Sequence, residues 1–302
     1  MDAHEDKEVL EVMRAPLSVQ RERLAQWGYG DVGLLMLMSA CDGGCFFCAS
    51  DDVVNPPDRL ITTMASIEQW LDCAPPPELL LAGSEPMSHR DFFPTLELIR
   101  NRGDVKVDLI TSGLRIDSQH VAERLYDFGV RQISLPIYSD NEVEHDEIVG
   151  VAGHLERVRR GMEYAQNGGL EVRVHTLALR RNIDSIADLA LWVLAKTGHH
   201  LTVAPLREKT PLFSYRQEGV AFEAIEDRLS NASVVLTGFP LCVAPSLPRG
   251  GSTVVRLYFQ CQSRVLAPSV CSHCSRNNEC MGIVPAQLRA FGAGALQPFP
   301  LG

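Results

Sequence analysis

The sequence predicts an α/β fold: a parallel sheet of six strands joined by helices, followed by a small C-terminal module. Three observations predict it. Between Gly33 and Arg207, short apolar runs alternate with amphipathic windows. Each window is long enough to carry the chain back through a right-handed crossover, which parallel strands require. After Arg207 the alternation stops, and residues 208–302 are richer in Pro and Gly and carry five of the nine cysteines. That composition suits a small module that needs a staple. The pattern leaves open whether the sheet is flat and doubly wound or curved like part of a (β/α) barrel.

Residues 1–30 read as a charged helical extension over one sheet edge, with Val9, Leu10, Met13 and Leu17 as a partial apolar stripe. The strands fall at 34–38, 78–82, 105–111, 132–138, 171–179 and 201–206. Helices fall between them at 66–73, 91–102, 117–128, 152–167 and 183–196. In the third of these, Ser118 can cap the start, and Val121, Leu125 and Phe128 lie at i, i+4 and i+7 on one face. The domains expected are therefore 1–30, 31–207 and 208–302.

Composition excludes several classes. A chain of 302 residues, 45% hydrophobic and 22% charged, can bury a core and is not mainly disordered. With 23 glycines and 18 prolines it is not collagen-like. A net charge of −10 repels phosphate backbones, so nucleic acid is disfavoured as a partner. The densest basic run, Arg157, Arg159 and Arg160, reads as the solvated face of a helix. Residues 1–7 are acidic and polar, unlike a signal peptide, and no run of about 18 apolar residues occurs. A cytoplasmic location without a membrane partner is expected. There, cysteines serve more often as metal ligands or catalytic thiols than as disulfides.

Directly after the first strand stands Cys41-Asp42-Gly43-Gly44-Cys45-Phe46-Phe47-Cys48. Three thiolates on a loop that two glycines allow to curl can face a single centre. Structural zinc wants four protein ligands, and no fourth Cys or His lies close by. A cubane held by three cysteines keeps one iron open for another molecule.

The Cys-x3-Cys-x2-Cys spacing, with Phe47 before the last cysteine, resembles the signature of the radical S-adenosylmethionine (radical SAM) superfamily. Gly83-Ser84-Glu85-Pro86 after the second strand is similar to the family's Gly-Gly-Glu-Pro segment, with a serine for the second glycine. Thr111-Ser112-Gly113 is close to its Thr-Asn-Gly, and Ser134 matches a serine that contacts the cofactor's carboxylate in many members. His145 to Gly150 resembles a segment common in members with extra clusters. Beside these stand plainer readings: a turn at 111–113, a core hydroxyl at Ser134, a solvated acidic loop at His145.

The resemblance implies a partial (β/α)6 barrel and a 4Fe–4S cluster on Cys41, Cys45 and Cys48. It places S-adenosylmethionine against Gly83, Ser84, Glu85, Pro86, Thr111 and Ser134. One-electron cleavage to a 5′-deoxyadenosyl radical then follows, with flavodoxin or ferredoxin as the kind of external donor.

In the tail, Cys271-x2-Cys274-x5-Cys280 has metal-ligand spacing that zinc and Fe–S sites share. With Pro240-Leu241-Cys242 and an ending that holds Phe291-Gly292, it resembles the SPASM or Twitch modules of radical SAM enzymes. That resemblance implies a second 4Fe–4S cluster on Cys242, Cys271, Cys274 and Cys280. Cys261 is then an alternative ligand or a thiol near the substrate, and Cys73 a packing residue. A fully ligated second cluster can accept an electron, which favours net oxidation or bond formation on a small molecule. The residues before the first strand are too few for a leader-peptide domain, so maturation of a ribosomal peptide is the second expectation. A non-catalytic Fe–S or zinc scaffold is the rival from another class, which the intact Cys41, Cys45, Cys48 and Glu85 oppose.

Overall fold

The computed structural model describes residues 15–26, 32–37, 39–45, 47–48, 62–206, 215–251, 266–280, 282–294 and 296–300. Val9, Leu10, Met13 and Cys261, singled out above, lie outside them. The chain divides into two compact units. The first comprises residues 1–44, 50–135 and 150–173, and the second 45–49, 136–149 and 174–302.

The first unit opens with α1 (Leu17–Gln26) and β1 (Val32–Leu37), then α2 (Met64–Trp70), β2 (Glu78–Gly83), α3 (Phe92–Arg100), β3 (Lys106–Ile110), α4 (Gln119–Asp127) and β4 (Val130–Pro136). It also contains α6 (His154–Asn167). Neighbouring strands pair in parallel, with β1 against β2 from Val32↔Glu78 to Leu37↔Gly83, then β2 against β3 and β3 against β4. Leu79, Leu80, Leu81 and Ala82 are fully buried, the continuous apolar run of a strand covered on both faces. Gln20 serves the edge strand: its Nε2 donates to Leu34 O at 2.9 Å, and Leu34 N donates to its Oε1 at 3.2 Å. Capping follows sequence, with Val121 N donating to Ser118 Oγ at 3.4 Å and a reciprocal Thr63–Ser66 box opening α2.

The second unit holds α5 (Glu142–Val149), most of β5 (Glu171–Ala178), α7 (Ile186–Thr197), β6 (Leu201–Pro205), the single turn α8 (Tyr215–Glu218), α9 (Phe222–Leu229) and β7 (Val234–Leu236). The short α10 (Pro268–Cys271) and α11 (Pro285–Phe291) follow. β5, β6 and β7 pair in parallel, and Ile137 N donates to His175 O at 3.0 Å.

Two expectations need correction. Strand–helix alternation does not stop at Arg207, because α9 and β7 add a further step against β6. Residues around His145 are not a solvated acidic loop; they form α5, in which His145 is fully buried and its Nδ1 accepts from Tyr138 N at 3.2 Å. No helix among the described residues is long and apolar enough to cross a membrane.

Candidate active site

The segment after β2 is built around a close backbone approach. Gly83 has φ +148°, and a Cβ there would stand 1.9 Å from Leu37 O of β1. Only glycine fits at that spacing and that φ. Ser84, the departure from a second glycine, uses its hydroxyl to tie the ends of β1 and β2. Ser39 N donates to Ser84 Oγ at 2.9 Å, and Ser84 Oγ donates to Ser39 O at 2.5 Å. Ser39 Oγ then donates to Glu85 O at 3.1 Å.

Glu85 is 1% exposed. Its Oε1 accepts from Thr111 Oγ1 at 2.7 Å and from Met87 N at 3.0 Å, and its Oε2 accepts from Ser112 N at 2.6 Å. The Met87 bond caps the 3₁₀ turn Pro86–Ser88, with Pro86 at its first position. Thr111 N donates to Ser134 O at 3.3 Å. The Gly83–Pro86 segment, Thr111 and Ser134 are thereby gathered at the carboxyl ends of three adjacent strands, where α/β sheets place ligand sites.

The cysteine loop follows β1. Cys41 lies in the first unit, and its Sγ accepts from Gly43 N at 3.4 Å. Next to it, Asp42 receives a two-pronged contact from Arg115, with Nε at 3.0 Å from Oδ2 and Nη2 at 3.1 Å from Oδ1. Arg115 Nε also donates to Ser88 Oγ at 2.9 Å. One guanidinium thus links the cysteine loop, the turn after Glu85 and the loop after β3. Gly150, at φ +71°, lies against the same loop: a Cβ there would come within 2.9 Å of Gly44 O.

Cys45 and Cys48 fall in the second unit, on a turn in which Cys48 N donates to Cys45 O at 2.9 Å. The buried Phe47 packs edge-on against Tyr138, with centroids 4.9 Å apart. All three cysteines are half-buried.

Four other cysteines, all in the second unit, line one pocket: Cys242, Cys271, Cys274 and Cys280, with Leu296 and Phe299 among its apolar walls. Cys271 ends α10, and Cys274 N donates to Cys271 O at 3.1 Å. Cys280 Sγ accepts from Leu241 N and from Gly282 N, each at 3.5 Å. Burial pushes the Cys242 thiol up, and the charges of Cys280 and Cys271 add to that shift. Among the described residues no three His, Cys, Asp or Glu side chains close on a single ion.

The fold also brings forward residues that the sequence did not announce. Asp42 and Arg115 come together only in the fold. Arg249, discussed below, stands behind Cys242. Asp108, on β3, is buried and accepts from Gln132 Nε2 at 3.0 Å, and Lys106 Nζ lies 3.5 Å from its other oxygen. Burial raises its carboxyl to about 7 against the opposing charge of Lys106. In the second unit, burial lowers His175 to about 4.

Comparison with known proteins shows the family and the fold. The family model described as the radical SAM superfamily matches residues 35–193. The AdoMet-dependent heme synthase of Nitratidesulfovibrio vulgaris is 26% identical over 153 residues, covering 50% of this chain and 41% of that protein. The GTP 3′,8-cyclase of Paracoccus denitrificans is 27% identical over 180 residues, covering 56% of this chain and 51% of its own. The chain therefore spans about half the length of these curated relatives. In fold it is similar to anSMEcpe with bound AdoMet, at TM-score 0.52 and 18% identity over 66% of this chain and 58% of that one. It is also similar to Streptococcus suis SuiB bound to its precursor peptide SuiA, at TM-score 0.51 and 16% identity over 72% and 53%.

Proposed function

The chain belongs to the radical SAM superfamily, and from that premise we propose that it cleaves S-adenosylmethionine and abstracts hydrogen from an unactivated carbon of a small molecule. The observation that carries the proposal is the buried Glu85 carboxylate, held by Thr111 and Ser112, in the same sequence frame as a three-cysteine loop after β1. Cys41, Cys45 and Cys48 would hold a 4Fe–4S cluster through three of its irons. When bound, the cluster and S-adenosylmethionine supply the chemistry, a one-electron split into methionine and a 5′-deoxyadenosyl radical that takes the hydrogen atom.

The protein's residues bind and orient. A carboxylate offers about four lone-pair sites. Thr111, Ser112 and Met87 use three at Glu85. One remains for the ammonium of the cofactor's methionine, a charge-assisted contact strengthened by burial. Gly83 and Ser84 hold the backbone there close enough to share it. The buried Ser134 hydroxyl, on the next strand, would donate to the cofactor's carboxylate.

Cys242, Cys271, Cys274 and Cys280 would hold a second, fully ligated 4Fe–4S cluster able to accept an electron, in keeping with net oxidation or bond formation. The relatives named for heme synthesis and GTP cyclisation support a small-molecule substrate. Peptide maturation is the alternative outcome. An external donor of the flavodoxin or ferredoxin kind would reduce the first cluster.

The test is anaerobic reconstitution, with iron and zinc counted per chain and 5′-deoxyadenosine assayed with a strong reductant. About eight irons and cofactor-dependent 5′-deoxyadenosine are expected. No 5′-deoxyadenosine from a fully loaded chain overturns the proposal. About four irons with one zinc removes the second cluster.

A further inference from the structure

Arg249 is held on the edge of β7, where its backbone bridges Leu236 and Gly250 N donates to Leu236 O at 3.1 Å. From there its side chain reaches back into the loop that carries Cys242. Its Nη2 stands among four carbonyls that flank that cysteine: Pro240 at 3.3 Å, Leu241 at 3.2 Å, Val243, and Ala244 at 3.4 Å. Two N–H groups are shared among four acceptors. The loop bends to present them, and Ala244 adopts φ +46°, a left-handed conformation rare for a non-glycine residue.

The other amino group differs. Arg249 Nη1 is buried and makes no hydrogen bond among the described residues. A buried guanidinium nitrogen left without an acceptor is costly. The nearby Arg276 is itself paired with Glu279 at 2.8 Å. A cation with one amino group tied into the ligand loop and the other unsatisfied is suited to a site that takes up an anionic group.

We propose that Arg249 is the positioning residue of the tail's four-cysteine site, fixing the Cys242 loop through Nη2 and holding a positive charge beside that loop. The inference rests on the cluster reading of Cys242, Cys271, Cys274 and Cys280 and assigns a residue to its control. A positive charge held close to the ligand loop favours the reduced, more negative cluster, so Arg249 raises its potential.

The experiment uses the full chain with Cys41, Cys45 and Cys48 replaced by alanine, so that only the tail site is loaded. Iron and zinc are counted, and the midpoint potential is followed by electron paramagnetic resonance. The parent should hold about four irons. Arg249→Gln should keep that iron and shift its reduction equilibrium at least tenfold toward the oxidised form, about 59 mV for one electron. Arg249→Lys, which keeps the charge, should shift it less. Should Arg249→Gln lose its iron, retention by Arg249→Lys still supports the charge role, whereas loss in both with unchanged thermal melting overturns it. Retained iron at an unmoved potential overturns the Arg249 inference alone. A parent holding zinc, or no metal, overturns the cluster reading and this inference with it.

Discussion

Thr111 Oγ1 donates to Glu85 Oε1 at 2.7 Å, so the hydroxyl that ends β3 orients the carboxylate that follows β2. The same carboxylate closes the strand ends, and in the proposed cofactor site its remaining lone pair would take the ammonium, which gives Glu85 two duties. Glu85→Ala removes both and leaves one buried hydroxyl and two half-buried N–H groups short of an acceptor, at up to about 1–3 kcal/mol for each group left unsatisfied. Glu85→Gln separates the duties. It should keep the melting temperature within a few degrees while weakening S-adenosylmethionine binding by more than tenfold, about 1.4 kcal/mol, as read by titration calorimetry. An unchanged dissociation constant removes Glu85 from the cofactor site.

Replacing Cys41, Cys45 and Cys48 together by alanine should remove about half of the iron, leave the tail's share, and abolish 5′-deoxyadenosine formation. Iron analysis and chromatography of the quenched reaction read both. Surviving cofactor cleavage would show that the electron enters elsewhere.

Gly83→Ala tests the β1–β2 approach. A Cβ at 1.9 Å from Leu37 O cannot be absorbed by a side-chain shift, because the obstacle is backbone. The variant should fail to fold or lose the strand-end site. Gly153→Ala is the control: φ is +66° and nothing lies within 4 Å, so its cost is the left-handed backbone alone, about 1–2 kcal/mol. Equal destabilisation of the two, in chemical denaturation, would contradict the steric account.

Asp108 makes stability pH-dependent. Its folded pKa, about 7, lies above the ordinary 3.8 because burial disfavours the charged form. The native state therefore holds a proton that the unfolded chain releases. Its contribution is full below pH 3.8 and is lost as the pH rises through about 7. Asp108→Asn should melt a few degrees above the parent at pH 8 and show a smaller gain at pH 5. An equal difference at both values would mean that Asp108 is ionised throughout.

Local signals in the sequence located most of this architecture, and signals that depend on distant partners were not legible. The six strands were placed to within a residue or two because buried parallel strands are short apolar runs such as Leu79–Leu80–Leu81. β7 escaped notice because three residues, Val234–Leu236, are too few for any periodicity. α5 escaped because its composition misleads: Val143 is 67% exposed while His145 is fully buried, the reverse of an amphipathic pattern. Contiguous motifs exposed Cys41, Cys45, Cys48 and Glu85 as candidates. Asp42 and Arg115 lie 73 positions apart, and nothing near either residue marks the pairing.

The Asp42–Arg115 fork stands in water, with the two side chains 43% and 46% exposed. A pair so exposed contributes at most about 1 kcal/mol, and dissolved ions compete with it once the screening length falls below about 10 Å. Its grip on the residue beside Cys41 is accordingly set by the buffer as well as by the chain. Ionic strength thus becomes a handle on how readily that loop opens, and dilute salt is the medium in which it is held most firmly.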